Sequence, residues 1–171
     1  MKKNHNIILF IIWAITVSGI PSVHAAPALS DKLIKQRIED KAADTFRLRG
    51  TKVNLAVEDG NLVLFGEVGL YIQKMIYEQI AWKTEGVIEV DNEIRIVPKS
   101  PQTDAVIERK IMEVVQTHQR FLSSKIEVAV NKGAVNIRIN LDHPSDVLFL
   151  KHRVAEIDGI ISIDIQAKFF A

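Results

Sequence analysis

The chain has 171 residues, with 22 lysines and arginines, 21 aspartates and glutamates, and no cysteine. That length holds one medium domain or two small ones, and a composition of 47% hydrophobic and 25% charged residues excludes both a disordered chain and one that spans membranes throughout. The absence of cysteine excludes disulfides, thiolate metal sites, a cysteine nucleophile and lipoprotein acylation.

Residues 1–25 read as a secretory signal peptide. Lys2 and Lys3 precede the uncharged apolar stretch Ile7–Val17, and Val23-His24-Ala25 supplies the small residues that a signal peptidase reads. The apolar stretch is short of the roughly 20 residues needed to span a bilayer, so cleavage near Ala25 and a periplasmic location are expected. Removing Lys2 and Lys3 from the 22 basic residues leaves 20 against 21 acidic ones. The mature chain is therefore close to neutral, and its net charge selects no partner.

A first helix is expected from Ser30-Asp31, with Leu33, Ile34, Ile38, Ala42 and Phe46 at helical spacing down one face. Val53, Leu55 and Val57 alternate with polar residues. Asp59-Gly60 then favours a type I′ hairpin turn, in which both central residues take positive φ. Leu62, Leu64 and Val68 continue the alternation on the return strand. Ile72, Met75, Ile76 and Ile80 mark a second amphipathic helix, expected to stop at Gly86, and Ile88, Val90, Ile94 and Ile96 a last strand. Right-handed crossover makes the last strand parallel to the one before the helix. The unit is thus an αββαβ fold of the α+β class, a mixed three-stranded sheet with two helices packed on one face.

The same unit then recurs at an offset of 73. Asp31 becomes Asp104, Ile34 Ile107, Ile38 Ile111, Gly60 Gly133, Gly86 Gly159 and Asp91 Asp164. A single offset with no gap indicates duplication. The expected organisation is a signal peptide at 1–25, a first domain at 28–97, a proline-containing linker at 98–103 and a second domain at 104–171. A copy of about 70 residues is near the lower limit for an independent core, so the copies are expected to support each other.

The hairpin residues Val57, Gly60, Leu62, Val63, Leu64 and Gly66, followed by Gly86-Val87, Val90 and Asn92, resemble the BON domain. Export and duplication make the chain similar to the tandem BON periplasmic proteins of the osmotically inducible type. The resemblance implies a non-enzymatic module that binds phospholipid surfaces and supports envelope integrity or osmotic stress tolerance. The second copy departs from the pattern, with Ile139 in place of the second hairpin glycine and Ile165 in place of the asparagine. Gly60, Gly66, Gly86, Gly133 and Gly159 are assigned structural turn roles.

Neither catalysis nor a cofactor or metal is indicated. His118, His143 and His152 form no ligand spacing, and His118 reads as a surface or cap residue. Asp142-His143-Pro144-Ser145-Asp146 reads as a helix start, with Pro144 near the first turn and Ser145 or Asp142 as cap. No nucleophile elbow, phosphate loop or dinucleotide fingerprint occurs, and no small-molecule substrate is expected. The near-neutral charge argues against nucleic acid.

Two segments are candidates for surface binding. Lys32 to Lys52 is basic, and Lys35, Arg37, Lys41, Arg47, Arg49 and Lys52 are candidate contacts for an anionic phospholipid surface, each juxtamembrane cation contributing about 1 kcal/mol. The equivalent helix of the second copy is richer in apolar residues, and Ile111, Met112 and Val115 are candidate contacts for lipid or for an envelope protein. The alternative function is a protein-binding or chaperone-like module acting on envelope clients. Of Tyr71, Tyr77 and Trp82, at least one of the last two is expected to be exposed or at an interface, packing between the two copies included, because both lie off the apolar stripe of their helix.

Overall fold

The computed structural model describes residues 29–100, 102–122 and 124–169. The expected leader with its cleavage site, and Pro101 of the linker, lie outside the described residues. The order is α1 (Asp31–Asp44), a single 3-10 turn (Phe46–Leu48), β1 (Lys52–Glu58), β2 (Asn61–Val68), α2 (Tyr71–Trp82) and β3 (Glu89–Ile96). It repeats as α3 (Asp104–Thr117), a 3-10 turn (Gln119–Phe121), β4 (Ile126–Asn131), β5 (Ala134–Leu141), α4 (Ser145–Ala155) and β6 (Ser162–Phe169). Each sheet has three strands with the middle one in chain order at the centre. It pairs antiparallel with its hairpin partner and parallel with the last strand. Two similar α+β units therefore stand in tandem, as the periodicity requires.

Alternation decides which sheet face is covered. Leu55, Leu62, Leu64, Val68 and Ile94 point inward and form one core with Ile34 and Ile38 of α1 and Tyr77 and Ala81 of α2. In the second unit Val135, Ile137, Ile139 and Leu141 pack with Ile107, Ile111 and Val115 of α3 and Leu150 and Val154 of α4.

Both hairpins turn through positive φ as the type I′ reading requires, at +49° and +79° for Asp59 and Gly60 and +50° and +78° for Lys132 and Gly133. The aspartate that opens each first helix has a larger role than favouring the helix dipole. Asp31 accepts the Asp59 and Gly60 N–H groups at 3.0 Å each. Asp104 accepts those of Lys132 and Gly133 at 2.8 and 2.9 Å. One carboxylate thus ties helix to hairpin tip with two charge-assisted bonds. Asp104→Ala should cost about 2 kcal/mol, measured by urea denaturation. A cost below about 0.5 kcal/mol, typical of an unengaged surface site, would contradict the clamp.

Several expectations are corrected. Helix α1 ends at Asp44, because Thr45 takes an extended conformation and its hydroxyl donates to the Lys41 carbonyl. Phe46 therefore leaves the helical stripe and is exposed. Leu33 is partly exposed too. Helix α2 ends at Trp82 with Lys83 as its cap, so Gly86 belongs to the turn into β3, and Ile88 precedes that strand and is exposed. Pro144 itself occupies the N-cap of α4. Gly66 sits at φ +128°, where a Cβ would overlap the Lys52 carbonyl, whereas its counterpart Ile139 fills the second core.

The units touch through α2. Ile72 is only 2% exposed and belongs to the second unit's core cluster, against which Leu70, Tyr71, Met75 and Ile76 also pack. Arg47 bridges to Glu156 at 2.8 Å. Burial, and secondarily Glu78, pushes the Tyr71 phenol above its ordinary pKa, as a desolvated contact requires.

Candidate functional site

The turn Phe46–Leu48 is a rigid platform. Leu48 is buried beneath it and its N–H donates to the Thr45 carbonyl at 2.9 Å. The Thr51 hydroxyl donates to the Leu48 carbonyl at 2.7 Å and shares a 2.8 Å hydrogen bond with the buried Tyr77 hydroxyl. Gln73 in the first turn of α2 donates to the Arg47 carbonyl at 2.8 Å while its oxygen accepts the Gly69 and Leu70 N–H groups. Held this way, Phe46 projects outward at 75% exposure, with the Arg49 guanidinium 5.0 Å over its ring. A stacked cation on an exposed aromatic gains roughly 0.5–1 kcal/mol and more when water is excluded.

The six cationic candidates are not gathered into one patch. Lys35 pairs with Glu39 and Arg37 with Glu85. The Lys41 ammonium donates to the Thr84 hydroxyl, and Arg47 is held by Glu156. Arg49 stacks on Phe46, and exposed Lys52 opens β1 three residues further on. The structure therefore separates Arg49, beside the exposed aromatic, from Lys35, Arg37 and Arg47, which acids match, and from Lys52, which lies on the outer face of the sheet opposite Glu67.

The apolar candidates on α3 need correction. Ile111 is 0% and Val115 3% exposed. Both face the second core, because positions four apart share the inward stripe of the helix, and neither reaches a surface ligand. Met112 is half-buried beside Glu108, Arg109 and Glu113. His118 caps the second 3-10 turn, its Nδ1 accepting the Arg120 N–H at 3.4 Å. Trp82 is the exposed aromatic of α2 and Tyr77 the buried one.

The outer face of the first sheet carries the opposite sign. Glu58, Glu89, Asp91 and Glu93 project from it around Val63 and Phe65, with Lys52, Glu67 and Arg95 along one end. An anionic surface is repelled by that face. Among the described residues no group of three or more histidine or acidic side chains is placed to hold a metal ion. No helix among them is long and apolar enough to cross a membrane.

Comparison with known proteins agrees with the first unit. Residues 30–98 match the BON domain family. The chain matches no curated protein. Among solved structures it is similar to CdsD, a structural protein of the type III secretion system of Chlamydia trachomatis. Identity is 16% over 81% of this chain and 61% of that one, with a TM-score of 0.33. Against the C-terminal domain of CdsD the identity is 12% over 84% and 68%, with a TM-score of 0.34. The chain thus spans 61% of the length of the first, and a likeness this slight carries no functional argument.

Proposed function

We propose that this is an exported, non-catalytic module whose first unit docks on anionic phospholipid surfaces and so supports the cell envelope under osmotic stress. The carrying observation is Phe46, exposed on a braced turn beneath Arg49. An aromatic ring suits the boundary between headgroups and acyl chains, and Arg49 adds attraction to anionic lipid that salt weakens. The BON match at residues 30–98 supports the same reading.

The purified protein should co-sediment with phosphatidylglycerol vesicles more than with phosphatidylcholine ones, and less as salt rises. Phe46→Ser should weaken that binding roughly tenfold, the effect of partly burying one aromatic side chain, with the thermal transition unchanged. Equal absence from both pellets at low salt would overturn the proposal.

The second reading, a protein-binding envelope module, is favoured by the acidic outer face around Phe65. That face suits a basic protein surface. Crosslinking in the periplasm that captures no protein through this face would remove it.

A further inference from the structure

We propose that the chain forms a closed dimer by pairing β6 with β6 of a second copy, antiparallel, so that the two second-unit sheets become one sheet of six strands. The inference is independent of lipid binding. It starts from a difference between two of the sheet edges, β3 in the first unit and β6 in the second.

In the first unit the edge is blocked. Val97, just past β3, donates to the Val68 carbonyl. Within the constant register this turns the backbone groups of Asn92 and Ile94 away from β2. They do not stand free. The Lys74 ammonium donates to the Ile94 carbonyl at 2.9 Å, and the Asn92 side-chain oxygen accepts the Ile94 N–H at 3.3 Å. The Asn92 amide donates in turn to Glu78 at 3.1 Å. Charged and polar side chains folded over an edge strand prevent a further strand from adding.

The second unit lacks every part of this device. At the offset of 73, Lys74 becomes Val147, Glu78 becomes Lys151 and Asn92 becomes Ile165. The register of β6 on β5 repeats that of β3 on β2, with Ile137 opposite Ile165 where Leu64 lies opposite Asn92. The N–H and C=O groups of Ile163, Ile165, Ala167 and Phe169 therefore face the open edge. Among the described residues no side chain hydrogen-bonds to them. Such a row of unpaired groups is a template for strand addition.

The sequence of β6 selects its own copy as occupant. Ile163 to Phe169 reads apolar, Asp, apolar, Gln, apolar, Lys, apolar, which is complementary to its own reversal. With Gln166 opposite the partner's Gln166 on the two-fold axis, Asp164 lies opposite the partner's Lys168, and Lys168 opposite the partner's Asp164. Ile165 meets the partner's Ala167 on the helix side. Ile163 meets the partner's Phe169, a residue otherwise exposed. The residues in those two apolar pairs are the ones whose backbone groups face the edge, so they are the hydrogen-bonded pairs of an antiparallel ladder. The charged residues then occupy the closer non-hydrogen-bonded sites. The nearest alternative register, two residues away, sets Asp164 against Gln166 and forfeits both charge pairs. An isologous two-fold interface closes on itself and stops at a dimer.

The test is sedimentation equilibrium of the purified protein over a concentration series. The parent should form a dimer and nothing larger. Ala167→Pro removes an N–H that faces the edge and leaves the β5 ladder intact, so it should be monomeric with an unchanged circular dichroism spectrum. Asp164→Lys and Lys168→Asp should each raise the dimer dissociation constant about tenfold or more, because two opposite-charge pairs become like-charge pairs. An equimolar mixture of those two variants should recover association as a heterodimer, a result that a folding defect does not produce. A monomeric parent at every concentration would overturn the proposal. So would a dimer indifferent to all three substitutions, or a mixture that stays monomeric.

Discussion

Gly133→Ala is expected to destabilise the protein by roughly 3–5 kcal/mol, whereas Gly50→Ala, at the same φ of +78°, should cost only about 1–2 kcal/mol. The backbone penalty for an L-residue in the left-handed region is common to both. The surroundings differ. Nothing lies within 4 Å of a Cβ built at Gly50. At Gly133 that carbon would overlap the Gly159 carbonyl oxygen, a backbone atom that cannot rotate aside. The turn cannot swing away either, since Asp104 grips its tip and the Ile161 N–H donates to the Gly133 carbonyl at 3.0 Å. Overpacking of that kind adds about 1–3 kcal/mol. Urea denaturation of the two variants decides it, and equal costs would show that conformation alone governs both sites.

Ile72→Ala should cost about 2–4 kcal/mol and should loosen the second unit although the residue belongs to the first. Its side chain is embedded in the cluster that contains Ile137, Leu150 and Val154, so truncation leaves a cavity shared by both units. The Arg47–Glu156 pair beside it is exposed enough to contribute less than about 1 kcal/mol, which leaves apolar packing as the main coupling. Amide exchange reads the two units separately. Protection of β5 amides should fall with that of β2 amides. Loss confined to the first unit would mean that the copies are independent bodies joined by a tether.

Periodicity made the fold legible. Alternation in Val53, Leu55 and Val57, helical spacing in Ile34 and Ile38, and Asp-Gly at the hairpin locate elements through local physics, and the offset of 73 carries them into the second copy. Phe46 was misplaced because its spacing continues the stripe of α1, and spacing does not see that Thr45 diverts the chain. A signal existed: the counterpart of Phe46 is Gln119, and a position polar in one copy is poorly suited to a core in the other. The reverse holds for Ile111 and Val115, whose counterparts Ile38 and Ala42 already lie on the inward stripe. Composition identified the cations between Lys32 and Lys52 but not their partners. Glu85 and Glu156 lie far away in sequence, and only the fold brings them to Arg37 and Arg47. The Asp31 and Asp104 clamps were equally hidden, since a first-turn acid looks the same whether it faces solvent or a hairpin tip 28 residues ahead.

Docking of the first unit on anionic lipid through Phe46 is tested most directly by placing an indole there. In a Phe46→Trp, Trp82→Phe double variant, brominated phosphatidylglycerol vesicles should quench the fluorescence strongly and shift it to the blue. The mature parent, whose indole is at Trp82 away from the Phe46 turn, should show neither change. Vesicle binding without quenching at position 46 would contradict the account, because the chain would then meet the membrane through some other surface.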